Sequence, residues 1–192
     1  MLAILACSIF ALMAIILKFM TLTQGRIVPA KLASEIQGVS EKTDVVTMSR
    51  LETECEKGET ALARLGAVAL KKGMDINETK EAVQTAARAE VVRMTAGLAV
   101  LDVVVTIAPL LGLLGTASGL VIVFQDLGAA DNNVAIAKGI AVALNTTIAG
   151  VAVAVPSVIA HSFFSRKIET MSTNLEILLG HLVAMVKQEG KA

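Results

Sequence analysis

Two long apolar segments in the second half of the chain carry glycine, proline and threonine deep within them. They include residues 108–123 (APLLGLLGTASGLVIV) and 139–156 (GIAVALNTTIAGVAVAVP). A helix that faces only lipid has no need of such residues, whereas a helix packed closely around a polar path does. The pair therefore predicts a membrane protein whose functional site lies between packed helices.

The composition as a whole favours a membrane protein. Of the 192 residues, 55% are hydrophobic, and the mean hydropathy is +0.71, well above the range of soluble domains. A transmembrane helix needs about 20 apolar residues, and three stretches qualify: 1–20, 97–124 and 139–164. The first lacks the basic start and the cleavage site of a signal peptide, so we expect it to be retained. The predicted fold is an all-α membrane protein with three transmembrane helices.

The distribution of basic residues predicts the orientation of these helices. Of 17 Lys and Arg, 12 lie between Lys18 and Arg93 and four follow the third span, while only Lys138 lies between spans two and three. The positive-inside rule then places a helical loop at 21–96 and a helical tail at 165–192 in the cytoplasm. The N-terminus and a short loop at 125–138 face outward. The net charge of zero gives no case for nucleic-acid binding.

Local patterns predict helices in the cytoplasmic regions. A helix is expected over Glu59–Lys72 with Gly73 as its C-cap, and Asp75 and Glu78 form a capping box for the next. From there one long helix is expected to run to Phe124, kinked at Pro109. The third span is expected to continue into the tail, where six residues form an apolar stripe that packs on the loop helices: Ile168, Met171, Leu175, Leu178, Leu182 and Met185.

Small residues in spans two and three predict a close helix contact. Gly115 and Gly119 form a GxxxG step, and Gly112 and Gly150 extend the set. Because lipid gives helices no hydrophobic drive to associate, small residues that let backbones approach are typical of such contacts. GxxxG alone is a weak signal, and it leaves open whether the contact lies within a subunit or between subunits.

Hydroxyl and amide side chains predict a polar site between the same spans. A single threonine most often bonds a carbonyl of its own helix, but Asn145, Thr146 and Thr147 are adjacent in span three and Thr116 lies in span two. Asn145 satisfies its amide locally less easily than a hydroxyl does. The cluster therefore favours a hydrated or inter-helix site that lines an ion pathway.

Three further residues are candidates for the same pathway. Asp102 is the carboxylate inside the apolar segments, where a charge is costly. Snorkelling to the cytoplasmic interface, or pairing with Arg93 or a nearby lysine, is as plausible as a role at an ion exit. Pro109 and Pro156 each free a backbone carbonyl at membrane depth, which then needs another partner. No nucleophile–base pair, metal-ligand set or phosphate loop is apparent, so we expect neither an enzyme nor a cofactor.

At these residues the chain resembles the ExbB/TolQ/MotA family of ion-driven stator proteins, and the ExbB/TolQ branch in particular. The resemblance rests on APLLGLLGT and GIAVALNTTIAGVAVAVP and covers about the last hundred residues. It implies a homopentamer in the bacterial inner membrane around two copies of a single-span ExbD/TolR/MotB-type partner, with a TonB-like third component in some systems. The translocated ion is a proton or sodium. Thr116 and Thr147 match pore-facing family positions near the partner's aspartate.

The sequence departs from the ExbB/TolQ pattern at one position. That branch usually carries a glutamate in a GIAEAL-like context of span three, where this chain has Val142. MotA-type members also lack this glutamate, so function is not excluded, but the partner's carboxylate becomes more important. An autonomous channel or transporter and a scaffold without flux remain alternatives.

Overall fold

The computed structural model describes residues 1–23, 27–39, 45–71, 73–126 and 133–189. Within these ranges the chain forms α-helices joined by short turns, with no strand. The all-α prediction is confirmed. The helices are α1 Leu2–Thr21, α2 Ala30–Val39, α3 Val45–Lys57, α4 Ala61–Ala69, α5 Ile76–Thr95, α6 Leu98–Asp126 and α7 Asn133–Glu189.

Three of these helices are long and apolar enough to cross a membrane. The apolar stretches are Leu2–Thr21, Leu98–Gln125 and Ile136–Val186, and each overlaps one of the three predicted spans. Only 22–28% of their most apolar windows is buried within the chain. Helices that are apolar on all sides and largely uncovered are typical of membrane spans.

The chain divides into two compact units that correspond to the predicted spans and cytoplasmic regions. One comprises Met1–Phe19 and Gly97–Phe164, the other Met20–Ala96 and Ser165–Ala192. Helix α7 is continuous and contributes to both. The predicted continuation of span three into a helical tail is therefore confirmed.

Both predicted ends of the first loop helix are wrong. The helix expected over Glu59–Lys72 is shorter: Thr60 is its N-cap, with the hydroxyl accepting a bond from the Ala63 amide (3.2 Å), and Leu70 is its C-cap. The buried face of α4 ends at Leu70 and Lys71 is exposed, so no apolar contact extends the helix. Gly73 has a left-handed φ of +93° but lies beyond this cap, and Lys72 is outside the described residues.

The single long helix expected from Asp75 to Phe124 is interrupted. Its start is as predicted, because the Asp75 amide donates to the Glu78 carboxylate at 3.0 Å. The helix stops at Ala96, whose ψ is 132°, and Gly97 adopts a φ of +85° before α6 begins. A left-handed residue cannot continue a right-handed helix, and glycine adopts this conformation without a Cβ clash.

The loop expected over 125–138 is also shorter, since α6 ends at Asp126 and α7 starts at Asn133.

The second unit, which comprises Met20–Ala96 and Ser165–Ala192, has a core of its own. All six residues of the predicted tail stripe are buried, with at most 4% of each exposed. A Cβ placed on Gly66 of α4 would lie 3.8 Å from the Leu182 Cδ1 and 2.5 Å from the Cys55 sulfur, so both side chains pack against this glycine. Burial raises the pKa of the Cys55 thiol to about 11. The predicted packing of the stripe on the loop helices is confirmed, so it needs no second chain.

A buried carboxylate ties α4 to α5. Glu90 accepts two bonds from the Arg64 guanidinium (2.9 and 2.8 Å) and one from Arg93 (3.1 Å), and its side chain is 8% exposed. Hydrogen bonding and charge from Arg64, supported by Arg93, hold the pKa of Glu90 below its ordinary value despite the opposing effect of burial.

The Glu90 pair predicts a pH-dependent contribution to stability. Glu90→Gln should lower the free energy of unfolding by about 1–3 kcal/mol at pH 7, as expected for hydrogen bonds to charged groups. Because the folded pKa of Glu90 is depressed, this stability is present above the unfolded pKa of a glutamate and is lost as the pH falls through the folded pKa. The difference in melting temperature between wild type and variant should therefore shrink in acid.

The measurement is thermal unfolding of the full chain in detergent, followed by circular dichroism between pH 7 and pH 3. The matched control is Glu81→Gln, because Glu81 is an exposed glutamate of the same helix. A melting-temperature difference for Glu90→Gln that did not change with pH would show that the ion pair is not its source.

Candidate functional site

Helices α6 and α7 approach so closely that their backbones touch. A Cβ added at Gly112 would lie 2.9 Å from the Thr147 Cα, and one added at Gly150 would lie 2.5 Å from the Ala108 carbonyl oxygen. Both distances are to backbone atoms, which cannot rotate away. The contact therefore requires glycine at these two positions. The role of the Ala108 backbone was not expected from the sequence.

The contact continues along α6 toward its C-terminal end. A Cβ on Gly115 would lie 2.6 Å from the Thr146 hydroxyl oxygen, and one on Gly119 would lie 2.7 Å from the Ala143 Cβ. Gly112, Gly115 and Gly119 thus lie along one face of α6, and this face contacts α7. Since Gly112, Gly115 and Gly150 all contact α7 or α6 within this chain, the close approach lies inside one subunit.

Three threonine hydroxyls converge in this contact. The Thr147 hydroxyl lies 3.1 Å from the Gly112 carbonyl oxygen and 3.3 Å from the Thr116 hydroxyl. The Thr146 hydroxyl lies 3.2 Å from the same carbonyl and 2.7 Å from the Ala143 carbonyl, while Thr116 donates to the Leu113 carbonyl at 2.7 Å. Of the residues predicted to form a polar site between these spans, Thr116, Thr146 and Thr147 are brought together. We call these three hydroxyls and the Gly112 carbonyl the oxygen cluster.

The chemistry of the oxygen cluster is that of neutral ligands. A hydroxyl donates one hydrogen bond and accepts others, and a carbonyl only accepts. The cluster can stabilise a cation, a water or a carboxylate brought against it, but none of its groups carries charge at neutral pH. A mobile charge at this site must therefore come from an ion or from another molecule.

Asn145 does not join the cluster. Successive residues of an α-helix turn by about 100°, so Asn145 lies on nearly the opposite side of α7 from Thr147, and its side chain is exposed in the single chain. Val142 is likewise exposed, by 60%. The three adjacent residues Asn145, Thr146 and Thr147 suggested one cluster. The helical repeat instead places Asn145 on a different face of α7 from Thr147.

Asp102 also lies apart from the cluster. It is exposed on α6, and 14 residues separate it from Thr116, or about 21 Å along a helix. Its backbone carbonyl accepts a bond from the Thr106 hydroxyl at 3.0 Å. Arg93, one of the partners considered from the sequence, bonds Glu90 instead.

Both prolines lie inside helices, Pro109 in α6 and Pro156 in α7. The missing amide hydrogens leave the Val105 and Ala152 carbonyls without their usual helical donors. Next to Pro156, Ser157 is 1% exposed and donates to the Val153 carbonyl at 2.8 Å. Ser157 was not predicted from the sequence, although a serine directly after a proline within an apolar segment is a signal for a buried hydroxyl. The kink expected at Pro109 stays a prediction.

The sequence matches a family model described as the MotA/TolQ/ExbB proton channel family over residues 49–177. The matched range contains all of α6 and the oxygen cluster. The chain is also 34% identical over 119 residues to the putative biopolymer transport protein ExbB homolog of Methanothermobacter thermautotrophicus, covering 59% of this chain and 43% of that protein.

Two bacterial proteins give similar matches. The biopolymer transport protein ExbB of Helicobacter pylori is 37% identical over 87 residues, or 44% of this chain and 60% of that protein. The protein of the same name from Aquifex aeolicus is 33% identical over 117 residues, or 59% of this chain and 78% of that protein. The matches to the archaeal and Helicobacter proteins thus span about half of those relatives.

Proposed function

The chain belongs to the MotA/TolQ/ExbB proton channel family, and from this membership we propose that it is a subunit of a homopentameric stator. The stator couples a flow of protons or sodium ions to mechanical work through two copies of a single-span ExbD/TolR-type partner. One observation carries the proposal: two hydroxyls of α7 meet one backbone carbonyl of α6, and a third hydroxyl, from α6, joins them within an otherwise apolar helix contact.

The mechanism follows from the neutrality of the oxygen cluster. A carboxylate on the partner helix is neutral against an apolar wall and ionised against the cluster, where Thr147 donates a hydrogen bond to it. Five identical clusters around the partner turn each ion transfer into one step of rotation. An ion that crosses the membrane releases about 2.3 kcal/mol per charge for each 100 mV, which drives the step.

The remaining polar residues fit along this path in the proposal. Asp102 lies near the cytoplasmic exit, where an exposed carboxylate attracts cations. The carbonyls freed by Pro109 and Pro156 supply further oxygens along the spans. Asn145 faces away from the cluster, toward a neighbouring copy or the partner. Because all these ligands are oxygens, sodium is as compatible with the path as protons.

We also propose where the stator works. The distribution of Lys and Arg favours a cytoplasmic loop and tail, and the bacterial inner membrane is the bilayer in which the family's ion gradient exists. The relatives described above are named biopolymer transport proteins. We extend that role to this chain as the energising of an envelope or transport process, with a TonB-like third component as the receiver of the work.

Assembly with the partner gives the first test. Co-purified with an ExbD/TolR-type protein and analysed by native mass spectrometry, the chain should appear as five copies, about 100 kDa for a 20.0 kDa subunit, with two partner copies. A stable monomer in lipid would contradict the proposal.

Ion flux gives the second half of that test. The complex is reconstituted in liposomes under a proton or a sodium gradient, with liposomes that lack the partner as the control. Flux that requires the partner supports the stator. Flux without the partner would favour an autonomous channel, and no flux under either gradient would favour a scaffold.

A further inference from the structure

Two neutral polar side chains of the spans lie outside the oxygen cluster. Asn145 of α7 and Ser118 of α6 are both exposed in the single chain, and among the described residues neither side chain has a hydrogen-bond partner. Each lies six residues inside its predicted span, about 9 Å from the end nearest the short loop. An unpaired amide at that depth is costly, so Asn145 requires a partner from another helix.

The contact between α6 and α7 places these two side chains at one level of the membrane. A Cβ on Gly119 would lie 2.7 Å from the Ala143 Cβ, so these two residues are level. Because the two helices run in opposite directions, one step back along α6 to Ser118 matches one step forward along α7. Asn145 is one residue beyond that step, and the two levels differ by about 1.5 Å.

Both side chains face away from the oxygen cluster. Ser118 follows Thr116 by two residues. Asn145 precedes Thr147 by two, and two residues turn a helix by about 200°. The two side chains therefore lie on the surface of the α6–α7 hairpin opposite the cluster. A ring can point its clusters at a central partner and still use the opposite surfaces for contacts between its subunits.

The face of α7 around Asn145 is suited to a close helix contact. Small residues let a neighbouring backbone approach, and three alanines lie within about 40° of Asn145 around the helix: Ala141, Ala149 and Ala152. The last of these has a backbone carbonyl without its usual donor, because Pro156 has no amide hydrogen. This face therefore offers room for a helix and two polar groups that lipid cannot satisfy.

We infer that the Asn145 amide of one copy bonds the Ser118 hydroxyl of the next copy in the ring. The inference rests on the proposed homopentamer and names a contact between its subunits. Rotation about an axis parallel to the spans leaves every residue at its own depth, so the two side chains are level between copies as they are within one. A closed ring joins two different surfaces of the chain, and these side chains lie on different helices.

A second copy fits this face better than a different protein. The Asn145 amide and the Ser118 hydroxyl can each donate and accept a hydrogen bond, and the chain itself supplies both at one level. The partner helix of the proposed function is instead assigned to the oxygen cluster on the opposite surface. Neighbouring subunits are thus held by a bond between neutral groups that takes no part in ion transfer.

Cross-linking between two differently tagged chains tests this contact. One chain carries Asn145→Cys, the other carries Ser118→Cys, and both carry Cys7→Ala. They are expressed together with the ExbD/TolR-type partner and treated in membranes with a short thiol cross-linker. We expect linked dimers of about 40 kDa, from two subunits of 20.0 kDa. Cys55 stays out of the reaction, because it is 2% exposed and burial raises the pKa of its thiol to about 11.

Leu120→Cys in place of Ser118→Cys is the matched control. Leu120 lies two residues farther along α6, so it is nearly level with Ser118 and points about 200° away from it. Linked dimers for Ser118→Cys and none for Leu120→Cys support the inference. Equal yields for the two, no dimers at all, or dimers from Asn145→Cys alone would overturn it.

A double-mutant cycle tests the bond itself. Ser118→Ala should lower the temperature at which the complex dissociates by about 2–4 °C, and it should change nothing once Asn145→Leu has removed the amide. Thr106→Val is the control and should have no effect, since the Thr106 hydroxyl bonds a carbonyl of its own helix. Equal losses from Ser118→Ala in both backgrounds would contradict the inference. The proposed function fails differently, because the wild-type complex would then not be a pentamer in native mass spectrometry.

Discussion

Replacing Thr147 with valine is expected to reduce ion-driven flux at least about a hundredfold while the assembly stays intact. Thr147 is the hydroxyl that joins the two spans, through the Gly112 carbonyl and the Thr116 hydroxyl. Valine has the same shape and cannot donate. Removal of one preorganised donor from a water-poor site typically costs a factor of about 10²–10³ where charge develops against it.

The fold should tolerate this change. The Gly112 carbonyl keeps the Thr146 hydroxyl within 3.2 Å, and Thr116 keeps its bond to the Leu113 carbonyl. The buried polar groups therefore stay satisfied, and the complex should retain its mass and its melting temperature. The variant separates the chemistry of the cluster from its contribution to structure.

Flux in liposomes and native mass spectrometry measure the two outcomes side by side. Thr170→Val is the matched control, since Thr170 lies in the part of α7 that belongs to the second unit and its hydroxyl bonds the Arg166 carbonyl of its own helix at 3.0 Å. Unchanged flux in Thr147→Val would remove the oxygen cluster from the ion pathway, even if the protein conducts by another route.

Features that follow from a pattern repeated over several helical turns were the most predictable from the sequence. The tail stripe from Ile168 to Met185 repeats at helical spacing over several turns, and each member is buried as expected. The pairing of Thr116 with Thr147 was also predictable, because two antiparallel spans with small residues between them bring their polar positions together.

Features that depend on one or two backbone angles were not predictable. Gly97 could have continued a helix at a modest cost, and the ψ of 132° at Ala96 together with the φ of +85° at Gly97 ends α5 before α6. Asn145 shows a second limit of prediction from sequence. Because each residue turns the helix by about 100°, two adjacent residues such as Asn145 and Thr146 do not point in the same direction. The shared Gly112 acceptor depends on the rotation of α7 about its own axis, and side-chain chemistry does not reveal that rotation.

Replacing Gly150 with alanine is expected to break the contact that holds the oxygen cluster. The new Cβ would lie 2.5 Å from the Ala108 carbonyl oxygen and 3.1 Å from the Gly112 Cα. Both neighbours are backbone atoms, so α6 and α7 must separate, and overpacking of this kind costs about 1–3 kcal/mol or more. Separation would also pull Thr147 away from Gly112, so flux should fall together with the melting temperature.

A second glycine of the same helix isolates the steric effect. Gly180 of α7 lies in open space, with no atom within 4 Å of a Cβ placed on it, beside a groove between α5 and α7. Both substitutions gain up to about 1 kcal/mol of helix propensity, so Gly180→Ala should raise the melting temperature while Gly150→Ala lowers it. Equal stabilisation of the two variants would mean that α6 and α7 are farther apart in the membrane than the cluster requires. A functional Gly150→Ala complex with a lowered melting temperature would mean that ion flow does not depend on the approach of Thr147 to Gly112.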